Sequence, residues 1–220
     1  QGHIKAQFYL AWMLEDGLIF VDSQVTIDNY SKVGAHVGGG RRWYNEQTDR
    51  VFGLHTFCDL DTTPAGNTFP QISGGFQWTG DRWNLATDVY VPLGATVEAA
   101  DPATRAFDIA MTGIEMNLGL RLGESNSWVN GGLYHYQGGG QSTDGARAGV
   151  SGWLTNNMLL QVGLAGDPLF GANVYGGLTV FYGGRRGVLP QNVFEKMRLP
   201  IDRQSRETIA RQTEVVKQHR

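Results

Sequence analysis

The stretch "FGLHTFCDLD", residues 52–61, decides the fold class because its side chains alternate in character. One set is largely apolar: Phe52, Leu54, Thr56, Cys58 and Leu60. The other set is more polar: Gly53, His55, Phe57, Asp59 and Asp61. Successive side chains of a strand point to opposite faces, so the stretch predicts a strand with one apolar face. That face meets a core in a soluble sheet, whereas it meets lipid in a membrane barrel with a polar lumen.

The same alternation recurs along the chain and predicts eleven strands. The runs lie at 4–14, 19–28, 32–42, 52–61, 71–78, 83–91, 107–122, 128–137, 147–155, 158–165 and 172–182. The apolar phase switches at Gly113 within 107–122, which predicts a β-bulge there. These strands are about ten residues long, and ten tilted residues span a bilayer.

Composition and motifs exclude several other classes. Glycine, at 31 of 220 residues, is too frequent for long helices, and no run of about 18 apolar residues exists to form a transmembrane helix. The net charge of −3 does not suggest a nucleic-acid partner. Cys58 is the single cysteine, which leaves no internal disulfide. Zinc-ligand spacings, phosphate loops and the GxSxG motif are missing, so we expect no enzyme activity, no cofactor and no metal ion.

One group of residues keeps a metal or acid–base site open as a minor alternative. His36 and His55 are predicted on adjacent strands, on the same face as Asp59. The alternative interpretation is that both histidines are simply polar lumen residues.

The positions of tryptophans and turns favour a membrane barrel. Five of the six tryptophans (Trp43, Trp78, Trp83, Trp128 and Trp153) are predicted near strand ends, where an aromatic girdle would lie, and Trp12 is near the end of the first strand. Short predicted turns (15–17, 45–48, 79–81, 123–126 and 155–157) alternate with longer loops (28–31, 61–67, 94–106, 138–145 and 166–171). Outer-membrane barrels have short periplasmic turns and longer outer loops.

The C-terminal part of the chain differs from the rest. Residues 185–220 hold nine Lys and Arg against four Asp and Glu, a formal charge of +5 that leaves −8 for the remainder. The alternation stops there, so we predict a barrel over residues 1–184 and a basic tail or linker over 185–220. The stretch "RETIARQTEVVKQ" is compatible with a short helix, an extended linker or a solvated tail.

Four collinear segments resemble the barrel domain of inverse autotransporters, the intimin and invasin class. They are "LIFVDSQVTIDNYSKVGAHVGGGRRW" (18–43), "VFGLHTFCDLDTTPAGNTFPQISGGFQW" (51–78), "WNLATDVYVPLG" (83–94) and "FEKMRLPIDRQ" (194–204). The chain departs from that family at Cys58, where an aromatic is usual, and by ending without immunoglobulin-like domains. The resemblance implies a twelve-stranded antiparallel barrel whose linker, here Gly183 to Arg220, turns back through the lumen.

The alternation assigns residues to the two faces of this all-β, antiparallel transmembrane barrel. Polar residues predicted to face the lumen are Lys5, Gln7, Asp22, Gln24, Lys32, His36, Arg42, His55, Asp59, Gln71, Gln77, Asn84, Asp88, Glu115 and Arg121. Residues predicted to face lipid are Ile19, Val21, Leu54, Leu60, Leu85, Val89, Leu160 and Val162.

The resulting hypothesis is a barrel in the bacterial outer membrane that anchors or exports its C-terminal segment through the lumen. Its partners would be outer-membrane lipid and other envelope or surface proteins. A porin-like or structural barrel without export is the first alternative, and a soluble ligand-binding β-barrel is the second. With eleven strands, the two edge strands would run in the same direction and could not close the barrel by antiparallel pairing. Bacterial single-chain barrels have even strand numbers. We therefore expect a twelfth strand, preceding Gln1 or supplied by another segment.

Overall fold

The fold was described from a computed structural model, which covers residues 3–28, 33–63, 65–101, 106–123, 126–169, 171–180, 193–196, 199 and 209–213. Nearly all of these residues lie in strands. The strands are β1 (His3–Leu14), β2 (Gly17–Asp28), β3 (Val33–Asn45), β4 (Arg50–Thr62), β5 (Thr68–Thr79), β6 (Trp83–Pro92), β7 (Val97–Asp101), β8 (Ala106–Ala110), β9 (Thr112–Arg121), β10 (Ser127–Gly138), β11 (Gln141–Thr155), β12 (Met158–Asp167), β13 (Gly171–Val180) and β14 (Ile209–Thr213). One short helix, α1, spans Val193–Lys196.

Eleven strands form one antiparallel sheet, which confirms the predicted number of strands and the all-β class. Their order is β1-β2-β3-β4-β5-β6-β9-β10-β11-β12-β13, so consecutive strands of the sheet are neighbours throughout. The edge strands β1 and β13 therefore run in the same direction. Within the described residues neither edge pairs with the other, and the twelfth strand stays a prediction.

A second, three-stranded sheet has the order β14-β8-β7. Its strands β7 and β8 lie in the connection between β6 and β9, and β14 comes from the C-terminal segment. The prediction of one bulged strand over 107–122 was wrong. Residues 106–110 belong to the small sheet, residues 112–121 belong to the main sheet, and Met111 separates them. The change of apolar phase near Gly113 thus reflects two strands in different sheets. The helix alternative for "RETIARQTEVVKQ" was also wrong for residues 209–213, which form β14.

The connection between β10 and β11 is much shorter than predicted. Residues 138–145 were expected to form a long loop, but only Gly139 and Gly140 separate the two strands. Both have positive φ angles, 57° and 79°, as a two-residue hairpin turn requires. The predicted alternation of short and long connections is not regular in the structure, because the β2–β3 and β3–β4 connections both have four residues. The β7–β8 hairpin makes the connection from β6 to β9 the longest.

The main sheet has a buried face, termed the inner face, and an opposite outer face. Two rows of inner side chains run in register across the strands. Glycine lies next to a bulky residue at several positions in each row, whereas Asp88, Glu115 and Tyr134 follow one another directly in the first row. The first row contains Phe20, Gly40, His55, Gly75, Asp88, Glu115, Tyr134 and Gly145. The second contains Tyr9, Asp22, Gly38, Phe57, Ser73, Tyr90, Gly113, Tyr136 and Thr143.

Several aromatic rings lie over a glycine that is directly opposite on the neighbouring strand. A methyl group at any of these glycines would come closer than 3.0 Å to the ring. The pairs are Phe20–Gly40, Phe57–Gly38, His55–Gly75, Tyr134–Gly145, Tyr136–Gly113 and Tyr175–Gly163. A share of the unusual glycine content therefore provides room for inward rings, in the way that small barrels alternate small and large residues inside.

We expect Gly113→Ala to destabilise the protein by about 1–3 kcal/mol, because Tyr136 is buried and cannot move aside. Gly131→Ala is the matched control. A methyl group at Gly131 meets nothing nearer than the Arg147 carbonyl oxygen at 4.0 Å. Urea unfolding of the two variants in lipid vesicles measures the difference. Equal midpoints for both would contradict the proposed fit of ring against glycine.

Candidate functional site

The inner face holds the polar residues that the alternation assigned to a lumen. Eight are buried, with relative exposures of 0–8%: Asp22, Gln24, His36, Arg42, His55, Asp59, Gln71 and Asp88. Glu115 is buried as well, at 2%. Five are on the same face but partly buried: Lys5, Gln7, Gln77, Asn84 and Arg121. Lys32 lies outside the described residues. The assignment of this face to a lumen stays a prediction.

Buried carboxylates of the inner face are each contacted by neutral or basic groups from other positions. The Gln7 amide donates to both carboxylate oxygens of Asp22, at 3.1 and 2.8 Å. Asp59 accepts a hydrogen bond from Ser73 Oγ at 3.0 Å and lies 2.9 Å from His36 Nδ1. Buried carboxylates need such partners because an isolated buried charge is costly.

The two histidines serve different carboxylates. His36 contacts Asp59, whereas His55 Nε2 lies 2.7 Å from Asp88 Oδ1. The structure thus does not bring both histidines and Asp59 into one cluster, as the metal or acid–base alternative required. Among the described residues no group of three or more His, Cys, Asp and Glu side chains is placed to hold a metal ion.

A further buried ion pair joins Glu115, which the alternation assigned to the lumen, to Arg147, which it did not single out. Arg147 forms a salt bridge with Glu115 and donates to the Asn117 side chain at 2.7 Å. The Tyr136 hydroxyl also donates to Glu115. Asp88 and Glu115 are directly opposite on β6 and β9. Their mutual repulsion is offset because His55 contacts the first and Arg147 the second.

The C-terminal segment contacts the inner face near the β5–β6 turn. Val193 of α1 is 1% exposed and packs in a cluster with Leu18, Phe20, Val51 and Phe57. This contact was not predicted, since a four-residue helix shows no periodic pattern.

Two basic side chains complete this attachment through backbone oxygens. Lys196 Nζ donates to the carbonyl oxygens of Gly80 and Asp81, each at 2.7 Å, and lies 4.9 Å from the centre of the Trp128 ring. Arg42 Nη1 donates to the Leu199 carbonyl oxygen at 2.5 Å. The segment is therefore held by apolar packing and by charge-assisted hydrogen bonds.

The β7–β8 hairpin is attached at the opposite end of the main sheet. Asp108 of β8 accepts hydrogen bonds from Thr63 Oγ1 at 2.6 Å and Asn67 Nδ2 at 3.1 Å. Ile109 and the adjacent Met111 form a buried cluster with Tyr134 and Tyr136. β8 also pairs with β14, so the C-terminal segment contacts this end too.

The outer face carries exposed apolar side chains. The residues predicted to face lipid lie on it, and their relative exposures are 42% for Ile19, 44% for Val21, 53% for Leu54, 48% for Leu60, 42% for Val89, 39% for Leu160 and 45% for Val162. Leu85 is partly buried. A soluble protein rarely exposes so large an apolar surface, so the soluble alternative does not fit.

All six tryptophans lie within two residues of a strand end. All are at the same end of the main sheet, the one that carries the β5–β6 turn. They are Trp12, Trp43, Trp78, Trp83, Trp128 and Trp153. By alternation, the first four point outward. Arg41 lies over the Trp43 ring at 5.1 Å, and Arg50 over the Trp83 ring at 5.5 Å. Tryptophan and arginine in such a band are typical of a membrane–water interface.

Within the described residues, no helix has the length and apolar character needed to cross a bilayer. No family model matches the chain. No curated protein sequence matches it either.

Solved structures share the fold at low sequence identity. A chain from a study of how membrane proteins crystallise in meso has a TM-score of 0.75 and 13% identity, over 96% of this chain and 97% of that one. The KdgM porin in complex with disordered oligogalacturonate has a TM-score of 0.54 and 9% identity, over 82% and 96%. The KdgM porin alone gives 0.53 and 10%, over the same shares. The fold is therefore that of a bacterial outer-membrane β-barrel, and the apolar outer face suits that location.

We expect Val89→Arg to destabilise the barrel in bilayers by about 2–4 kcal/mol if the residue lies near the midplane. Val97→Arg is the control, because Val97 is exposed on β7, outside the main sheet. Unfolding in vesicles measures both. A loss near zero for Val89→Arg, or solubility without detergent, would contradict the membrane assignment.

Attachment of α1 should depend on pH through Lys196. Burial lowers the pKa of Lys196 from 10.5 to about 8, whereas an undocked lysine keeps its ordinary value. Between these values the undocked state binds more protons, so stability should rise as pH increases from about 8 towards 10.5. Lys196→Met removes the titrating group. The difference in urea midpoint between wild type and this variant should change over that range in favour of wild type; a constant difference would refute the effect.

Proposed function

We propose that this chain is a porin-like outer-membrane barrel whose interior is occupied by its own C-terminal segment. The observation that carries the proposal is that described parts of this segment contact opposite ends of the barrel. Val193, Lys196 and Leu199 contact the end of the β5–β6 turn. β14 pairs with the hairpin that lies at the other end. The proposal involves no catalysis, cofactor or metal ion.

The length of chain between these contacts supports a passage through the interior. Ten residue steps separate Leu199 from Ile209, and an extended chain covers about 3.3–3.6 Å per step. The reach is thus about 35 Å, against a hydrocarbon thickness of about 30 Å. Residues 200–208 themselves lie outside the described residues.

Electrostatics support the same arrangement. The inner face buries four carboxylates, Asp22, Asp59, Asp88 and Glu115, against two guanidinium groups, Arg42 and Arg147. The C-terminal residues 185–220 carry a formal charge of +5. A basic segment would therefore be attracted to a polar interior in which buried carboxylates are prominent.

A second candidate is anchoring or export of a C-terminal segment, as the resemblance to inverse autotransporters implies. The specific observation that favours it is the position of β14 at the end opposite α1. That end carries the longest connection, from β6 to β9, and outer-membrane barrels have their longer loops on the outside. The presence of a porin among the similar structures favours the first candidate. In both, the surroundings are outer-membrane lipid and other envelope or surface proteins.

Conductance tests whether the segment fills the interior. Full chain in planar bilayers should show low conductance, and deletion of 187–220 should open a larger channel. Val193→Asp in the full chain should act in the same direction, because a carboxylate in the apolar cluster weakens attachment of α1. Val97→Asp, on the exposed hairpin, is the control. Equal conductance in all four proteins would refute occupancy of the interior.

Protease access separates the two candidates. A protease site inserted after Thr213 should be cut from outside intact cells if the segment leaves towards the surface. Protection in intact cells, together with cleavage after the outer membrane is permeabilised, would refute export and retain the porin-like barrel.

A further inference from the structure

We propose that the edge of β8 opposite β7 is a strand-addition site, which binds an extended polypeptide through its backbone with little regard to sequence. Residues 209–213 occupy the site in the structure. The inference goes beyond the proposed function and holds whether or not a segment is exported.

The first support is the pairing itself. Ile209 to Thr213 pair antiparallel with Ala110 to Ala106, so that the whole of β8 has a partner on this side. On its other side β8 pairs with β7. An exposed strand edge presents a row of backbone donors and acceptors, which is the basis of binding by strand addition.

The second support is that the edge is held in place by contacts that do not involve β14. Thr63 and Asn67 bind the Asp108 carboxylate, and Ile109 packs in the cluster with Tyr134 and Tyr136. The Ala110 amide also donates to the Thr96 carbonyl oxygen at 2.8 Å. A receiving strand that is already ordered loses little conformational freedom when a partner binds.

The third support concerns selectivity. Two side chains of β8 are engaged by other parts of the protein: Asp108 binds Thr63 and Asn67, and Ile109 packs with Tyr134 and Tyr136. Ala106 and Ala110 offer a partner only a methyl group, so a partner mainly meets N–H and C=O groups. These groups are the same in every residue type except proline, which lacks the donor. The site should therefore accept many extended sequences and reject proline.

Hydrogen exchange in the full chain tests this tolerance. One variant permutes residues 209–213 (Ile209→Ala, Ala210→Ile, Arg211→Thr, Thr213→Arg). A second carries Arg211→Pro and Gln212→Pro; successive N–H groups of a strand point to opposite sides, so at least one donor to β8 is lost. We expect amide exchange in 106–110 to stay within about twofold of wild type after permutation and to accelerate about tenfold or more with proline. Equally accelerated exchange in both variants would refute the tolerance of the site for different sequences. Unchanged exchange in the proline variant would refute the pairing of β14 with β8.

Binding in trans tests whether the edge accepts a separate segment. A fluorescent peptide of residues 207–215 should bind the proline variant, whose edge is vacant, and should not bind wild type, whose edge is occupied. The same peptide methylated at two adjacent backbone nitrogens in 209–213 should bind at least about tenfold more weakly. Failure to bind the proline variant, or equal binding to wild type, would refute the site.

Discussion

The fit of a bulky inward side chain against a directly opposed glycine is the contact on which the interior of this barrel depends. Strands that curve around a narrow space bring their inward side chains together, and two inward rings at opposed positions would compete for the same space. The register avoids this because Phe57 faces Gly38 and Tyr136 faces Gly113. The rings then contact backbone, so the sheet stays closely packed without an apolar core of ordinary size.

The same small space determines how charge is accommodated. Asp88 and Glu115 are buried and opposed, which would be unfavourable without His55 and Arg147. Each partner lies two strands away from its acid, His55 on β4 for Asp88 on β6 and Arg147 on β11 for Glu115 on β9, so the network joins β4 to β11 across the inner face. Removing one partner of such a pair would leave a buried charge uncompensated. The inner face is therefore ordered by paired groups, and the C-terminal segment attaches where backbone oxygens of the β5–β6 turn are available to Lys196.

Alternation of side chains was sufficient to predict most of the main sheet, because a period of two is imposed by the strand backbone itself. It failed at 107–122, since β8 also alternates and the pattern does not say which sheet a strand joins. It also failed at 138–145, where polar residues suggested a loop although Gly139 and Gly140 make the whole turn. The attachment of the C-terminal segment could not be predicted. Lys196 binds carbonyl oxygens of Gly80 and Asp81, which have no side-chain signal, and four helical residues are too few for a periodic pattern.

The cost of an unpaired strand edge in this fold depends on whether the edge faces hydrocarbon or water. The edges of β1 and β13 belong to the main sheet, where the outer face meets hydrocarbon, and each unpaired backbone group there would cost several kcal/mol. Such edges must be paired permanently. The edge of β8 belongs to a hairpin at one end of that sheet, beside the β4–β5 connection, where water can satisfy N–H and C=O groups when a partner leaves. The free-energy cost of leaving the edge unpaired is consequently small for β8 and large for β1 and β13. An exchangeable strand is therefore compatible with a stable barrel only at a position such as β8, outside the hydrocarbon region.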